Sequence, residues 1–333
     1  MELLKALDIF LTKANPEWKQ LHRIADKLAP KLQQAFMLAV IRTQSSATIK
    51  NIETALEAGQ TELAVEVIDW YKFQTEASAM GAVIDDVMRQ SMEASAKRFA
   101  EEQGIEAMIY DGVVPEIPEG KIVGLFNLRN PEAEKWVKKH VGDLVTQITE
   151  DSKQAIRSIA LDGFENGNAP KKMAREIRQY IGLTDRDTKA VLNYRAKLED
   201  MLAQGESPFK TKPLTHEKID SMVDKYGKKK LRERSELIAR TETIKSSNMG
   251  LQTIWEEAQK QGLISQGAKR KWITAKDERV CSWCGPLHGN IVGMREDFTI
   301  TANLTEGSKA LTYTSLTPPL HPACRCSMVL ADD

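Results

Sequence analysis

The sequence predicts a mainly α-helical protein, with long-helix N-terminal and middle regions leading into a small, cysteine-rich α+β domain at the C-terminal end. Three observations predict it. Apolar residues recur at three-and-four spacing over most of residues 1–260, the period of an amphipathic helix. From Gly262 onward that period gives way to short β-like runs separated by turns. All four cysteines fall in the last sixth of the chain.

The 333 residues suffice for two or three domains. Two Gly/Pro-bearing stretches, Gly112–Gly120 and Gly205–Pro213, are the candidate linkers. They divide the chain into an acidic helical N-terminal domain (1–112), a helical middle region (113–212) and a cysteine-bearing C-terminal domain (213–333). Charge follows a related division. Residues 1–112 hold 12 Lys and Arg against 17 Asp and Glu, whereas residues 168–245 hold 19 against 12. The basic excess suits contact with nucleic acid or an acidic protein surface, and equally a set of solvated helix faces. No stretch approaches the roughly 18 apolar residues of a membrane span. Met1-Glu2-Leu3-Leu4-Lys5 lacks the layout of a signal peptide. The expectation is a cytoplasmic, reducing setting without membrane partners, where paired cysteines more often bind metal than each other.

Residues 1–112 read as successive helices, with Pro16 and Pro30 as punctuation and Gly59 and Gly104 as helix ends. The clearest is 78–102, where Met80, Val83, Ile84, Val87, Met88, Met92, Ser95 and Phe99 form one apolar stripe, read as core. Lys121–Phe126 is a short strand or buried turn. A helix over 131–160 carries Trp136, Val137, His140, Val141, Leu144, Val145 and Ile148 on one face, with His140 a packed or half-exposed helix residue. After the turn Asp162–Gly167 come helices over 169–181 and 185–203, the second capped by Thr184 with Asp185 and Asp187. Past the second linker, a capped helix opens at Leu214–Lys218 and a longer one runs from 229 to 261, with Glu236 and Arg240 an i, i+4 pair. Its start holds the densest basic cluster, Lys228, Lys229, Lys230, Arg232 and Arg234, a candidate contact for DNA or a protein partner. Lys271–Thr274 and Asn290–Gly293 are β-like.

The chemistry is concentrated in the tail. Cys281 and Cys284 form a C-x-x-C-G turn, in which two intervening residues let both sulfurs face one ion and Gly285 lets the backbone turn beneath it. Cys324 and Cys326 are separated by one residue, so in an extended segment both face the same way. His321 is a rival fourth ligand. All four cysteines, or three with His321, would make a closed tetrahedral site, which argues for structural Zn2+ rather than catalysis. Two disulfides, or four reduced cysteines that only pack, are the alternatives. His288, four residues past Cys284, is read as a turn residue first and a ligand second.

In order, the tail presents Ala239-Arg240-Thr241-Glu242-Thr243, Trp272-x-Thr274, Asp277-x-Arg279-Val280-Cys281-x-x-Cys284, Gly289 and Pro319-Leu320-His321-Pro322-x-Cys324-Arg325-Cys326. This order resembles the phage Mu F-protein-like head morphogenesis family, strongly over about 230–326 and more weakly back to about 130, where Gly182-Leu183-Thr184 and Asn193-Tyr194-Arg195 are similar to longer members. The one departure noted is Ala323, where an asparagine is common. The resemblance implies a minor capsid component present in few copies. Its implied partners are the portal protein, a major capsid or scaffold protein, and packaged DNA through non-specific contact. Its implied location is the host cytoplasm during assembly and then the virion, in the capsid interior or at the portal vertex. The implied roles are head assembly and genome packaging or ejection, without enzymatic activity.

Two other functions compete. Relatives in the wider family carry toxin or ADP-ribosyltransferase modules, and Arg240-Thr241-Glu242 superficially resembles such a site. Residues two apart on a helix diverge, however, and no phosphate loop or H-E-x-x-H accompanies them. A zinc-ribbon DNA-binding regulator is compatible with the cysteine turn and the basic middle, but no recognition-helix motif supports it.

Overall fold

In the computed structural model, which describes residues 16–209, 212–275, 280–302 and 311–331, four helices of 31 to 45 residues organise the chain. Met1–Lys5, the linker residues Lys210 and Thr211, and Asp277 and Arg279 of the tail motif lie outside the described residues. The order is α1 (Pro16–Ser46), α2 (Ile49–Glu57), α3 (Thr61–Glu66), α4 (Trp70–Gln103), β1 (Glu106–Tyr110), β2 (Val123–Asn127), α5 (Pro131–Glu165), α6 (Pro170–Tyr180), α7 (Asp185–Ala203), α8 (His216–Lys260), β3 (Lys269–Ile273), β4 (Ile291–Gly293), β5 (Phe298–Ala302), β6 (Leu311–Ser315) and β7 (Ser327–Ala331). The fold is mainly helical with a small strand-containing C-terminal region. No helix among the described residues is long and apolar enough to cross a membrane.

Helix ends follow the local chemistry. Gly59 and Gly104 have φ of 68° and 65°, immediately past helical turns, where glycine takes up the left-handed conformation without a Cβ penalty. Thr184 caps α7, its hydroxyl accepting the Asp187 N–H at 3.1 Å. Asn130 caps α5 by accepting from Glu132 and Ala133.

Three elements differ from the sequence expectation. α1 passes through Pro30, because the proline sits on an exposed face while Leu28 and Leu32 are buried on either side; packing outweighs one missing N–H. The expected break near 228 is absent and α8 is continuous. Gly227 serves close approach instead: a Cβ there would come within 2.6 Å of Tyr180 Cε1. The helical run ends before residue 106, and Glu106–Tyr110 pairs in parallel with β2, from Glu106↔Val123 to Tyr110↔Asn127.

The chain forms two compact units, each built from separate segments. The first comprises Met1–Leu32, Gly81–Lys139 and Leu237–Asp333, the second Gln33–Met80 and His140–Glu236. In the second unit, α6 and α7 are tied to α8 by Arg195, which lies 3.3 Å from buried Glu176 and 2.8 Å from Asp220. Burial raises the Glu176 carboxyl above the usual range, with the Arg195 charge opposing it.

In the first unit, β3 is the middle strand of an antiparallel sheet ordered β4-β3-β7, and β5 pairs with β6 in a second sheet. A shared core gathers Trp272, Phe298, Met328, Leu287 and Met294 from the strand-containing region with Leu251 and Trp255 of α8 and Leu21 of α1. Trp272 and Phe298 meet edge to face at 5.0 Å. Beside them lies a fully buried arginine, Arg270. Its guanidinium donates to Gln252 Oε1 (2.9 Å) and to the carbonyls of Leu316 (2.7 Å), Gly293 (3.0 Å) and Glu296 (2.5 Å). Burial lowers its pKa to about 10, so it remains charged at neutral pH, and four acceptors offset its desolvation.

α4 and α8 approach closely at Gly250, where a Cβ would lie 2.7 Å from the Met88 carbonyl oxygen. Helix propensity favours Gly250→Ala by about 1 kcal/mol, but a backbone carbonyl cannot yield as a flexible side chain does. The variant is expected to lose a net 1–3 kcal/mol or so in chemical denaturation; stability equal to or above wild type would contradict this packing.

Candidate metal centre

Cys281 and Cys284 lie in the turn between β3 and β4; His321, Cys324 and Cys326 lie between β6 and β7. The turn is closed by the Gly285 N–H to Cys281 O bond at 3.0 Å and the Leu287 N–H to Cys284 O bond at 3.2 Å. Amides also donate to sulfur: Cys284 N–H to Cys281 Sγ and Cys326 N–H to Cys324 Sγ, both at 3.4 Å. Such bonds favour the thiolate, the form that binds metal. Cys284, Cys324 and Cys326 are buried and Cys281 is half-buried; all four are free thiols, not the two disulfides of the alternative reading.

Two triplets of ligand atoms converge, Cys281–Cys284–His321 and Cys284–Cys324–Cys326, with the atoms of each within 4.8 Å of one another. Cys284 belongs to both. His321 Nε2 lies 3.0 Å from Cys281 Sγ and 3.2 Å from Cys284 Sγ, and Cys284 and Cys324 sulfurs are 3.6 Å apart. The imidazole tautomer follows from its other nitrogen. Nδ1 is 2.8 Å from the Pro322 carbonyl, which can only accept, so Nδ1 carries the proton and Nε2 presents a lone pair to the sulfurs. Without a cation the crowded thiols cannot ionise together. Cys324 is held well below the usual thiol range by hydrogen bonds from Cys284 and Cys326, and Cys284 is pushed up by the same contacts and by burial. The cavity between them is about 30 Å³, room for one ion. These residues could hold one metal ion.

The surroundings brace the cluster. Trp18 Nε1–H donates to the Arg325 carbonyl at 3.1 Å, and His22 Nε2 lies 3.1 Å from the same oxygen, so α1 anchors the segment between Cys324 and Cys326. Burial lowers the His22 pKa to about 4, keeping it neutral. The Trp272 indole N–H is buried without an acceptor in bonding range among the described residues. Neither Trp18 nor His22 was readable as part of the site, because they sit some 300 residues away in sequence.

Other expectations resolve as follows. His288 is a turn residue whose Nδ1 accepts the Thr274 N–H at 3.1 Å. His140 is half-buried on α5. On α8, the Thr241 hydroxyl donates to Leu237 O (2.7 Å) and accepts the Ala323 N–H (3.1 Å), bracing the C-terminal segment. Glu236 lies 4.0 Å from Arg232. In the basic cluster, Lys228 pairs with Asp224, Lys229 and Lys230 with Glu233, and Arg232 with Glu236, all within 4.0 Å. Arg234 is a correction. It is buried, bonded to Asp151 (2.8 Å) and the Gly182 carbonyl (2.7 Å), and it holds the α6–α7 turn rather than facing a partner. Gly285 is another: it does not take up the left-handed conformation, and a Cβ there would sit 3.5 Å from Cys281 O, an ordinary contact. The left-handed position falls instead at Ala323, with φ 61°.

Residues 154–329, just over half the chain, match the family described as Phage Mu protein F like protein. The chain belongs to that family. Membership places it among phage head-morphogenesis proteins. No curated protein and no solved structure matches the chain. The matched region of this Mu F-like chain includes all five Cys/His residues and α8 up to its end.

Ala323 gives a direct test of the backbone around the cluster. An alanine in the left-handed region costs roughly 1–2 kcal/mol, whereas asparagine visits it with local hydrogen-bonding help. Ala323→Asn is therefore expected to stabilise the protein by about 1 kcal/mol in denaturant titration. A variant no more stable than wild type would contradict the strained turn.

Proposed function

We propose that this Mu F-like protein is a minor head component that binds the portal protein at the portal vertex, in few copies, and acts in head assembly and in genome packaging or ejection. The family match carries the proposal, since it runs from within α5 to β7 and takes in the whole Cys/His cluster. Zn2+ is the cation assigned to that cluster. Thiolate and imidazole donors suit it, and zinc–sulfur bonds of about 2.3 Å in a tetrahedron place sulfurs about 3.7 Å apart, close to the 3.6 Å between Cys284 and Cys324. Centred near Cys284, the ion would draw its other ligands from Cys281 and His321 on one side and Cys324 and Cys326 on the other. Bound there, zinc would supply cross-linking, because a full set of thiolate and imidazole ligands leaves it no open coordination position.

The exposed members of the basic cluster, Lys228, Lys229 and Arg232, are proposed to meet an acidic portal surface. Packaged DNA, touched non-specifically, and capsid or scaffold protein are the further partners. Because each of these cations already has a carboxylate neighbour, the contact would be weak and salt-sensitive.

Co-expression with the portal protein of the same phage or prophage, followed by size-exclusion chromatography with mass and zinc analysis, tests the proposal. The expected result is co-elution with about one zinc per chain, and loss of that zinc in Cys284→Ser. A chain that elutes alone contradicts the portal role, and a metal-free, folded chain contradicts the zinc assignment.

A further inference from the structure

The segment between β1 and β2, Gly112–Ile122, is an apolar arm without regular secondary structure. Val113 is 82% exposed, Val114 60%, Ile117 47% and Ile122 75%. One exposed aliphatic residue needs no explanation; four within so short a segment mark an interaction surface. Pro115 and Pro118 fix their own φ and force Val114 and Ile117 into extended conformations, so the arm is stiff and loses little entropy on docking. In the three-residue period that such prolines favour, Glu116 and Glu119 share one edge and Val114 and Ile117 another. Asp111 at the base of the arm is engaged by Arg89 and Arg129, but among the described residues neither Glu116 nor Glu119 has an ion-pair partner, and both are exposed.

The second compact unit carries a cleft of complementary chemistry, with a volume of about 520 Å³. Ile41, 47% exposed, and half-buried Ile49 supply its apolar part. Arg175 and Arg178 rim it, one turn apart on the same face of α6, exposed and without a carboxylate partner among the described residues. Lys228 and Asp224, also at the rim, neutralise each other at 2.8 Å. The cleft thus presents two uncompensated positive charges beside aliphatic surface, and the arm presents two uncompensated negative charges beside aliphatic surface.

We propose that the Gly112–Ile122 arm of one copy docks into the Arg175/Arg178 cleft of a second copy. Glu116 and Glu119 meet the two guanidinium groups, and the arm's aliphatic edge covers Ile41 and Ile49. The interface is head-to-tail: each copy uses its arm on one neighbour and its cleft on another, an arrangement that closes into a ring or continues as a filament. An arm of this length covers less surface than a standard stable interface, so dissociation in the micromolar range, on the order of 1–100 μM, is expected. The proposal depends on neither the metal nor portal binding.

Sedimentation velocity of the full chain at rising concentration, in low and high salt, tests it with two charge-reversal variants, Glu116→Arg/Glu119→Arg and Arg175→Glu/Arg178→Glu. All four positions are exposed, and circular dichroism confirms that each variant folds. Wild type is expected to self-associate, more weakly in high salt. Each variant alone should lose association by more than tenfold, because like charges then face each other. Mixing the two variants should restore it, because arm and cleft become complementary again between them. A wild-type chain that stays monomeric, association indifferent to the reversals, or a mixture that fails to recover would each overturn the proposal.

Discussion

The strands of the C-terminal region are three to five residues long, and a sheet of three such strands is marginal on its own. What joins them is the convergence of the β3–β4 turn and the β6–β7 segment at Cys284, whose sulfur is shared by both groups of candidate ligands. Cys284 and Cys324 are 40 residues apart in sequence, so closing them in the unfolded chain carries a loop-entropy cost that a metal cross-link would offset. Cys284, Cys324 and Cys326 belong to the same buried core as Trp272, Phe298 and Met328, so a change in sulfur position is a change in packing.

The core and the cluster are braced by polar groups that work in the same direction. Arg270 sits on the middle strand of its sheet and draws in backbone carbonyls from two segments, the end of β4 with the turn after it and the residue following β6. Removing the guanidinium would leave those buried acceptors unpaired. From α1, Trp18 and His22 hold the Arg325 carbonyl, and with it the backbone between the last two cysteines. The proposed zinc therefore has a preorganised shell around it, with the His321 tautomer already set by Pro322.

Much of this was legible in the sequence where the signal is local. The Thr184 cap, the glycines after α2 and α4, the pair of short helices α6 and α7, and each half of the Cys/His set (Cys281 with Cys284, His321 with Cys324 and Cys326) rest on residues within a turn or two of one another. The failures share a different cause. Pro30 and Gly227 are breakers by local rule, and tertiary packing overrides both. Glu106-Ala107-Met108-Ile109-Tyr110 has no clean alternation, and only its partner Val123–Asn127 makes it a strand. Arg234 and Arg270 look like surface cations in sequence. Their burial depends on acceptors at Asp151, Gly182, Gly293 and Leu316 that no spacing rule predicts. The Mu F-like pattern was legible because it is itself a sequence pattern. It led to the correct family while saying nothing of the left-handed turn at Ala323.

The central claim is that closure at Cys284 holds the strand-containing region together. Amide hydrogen exchange of the zinc-loaded chain, before and after removal of metal by a chelator, tests it most directly. The account predicts that protection is lost across residues 269–331 while α6 and α7 keep theirs. Unchanged protection in 269–331 after the zinc is gone, or equal loss throughout the chain, would contradict it.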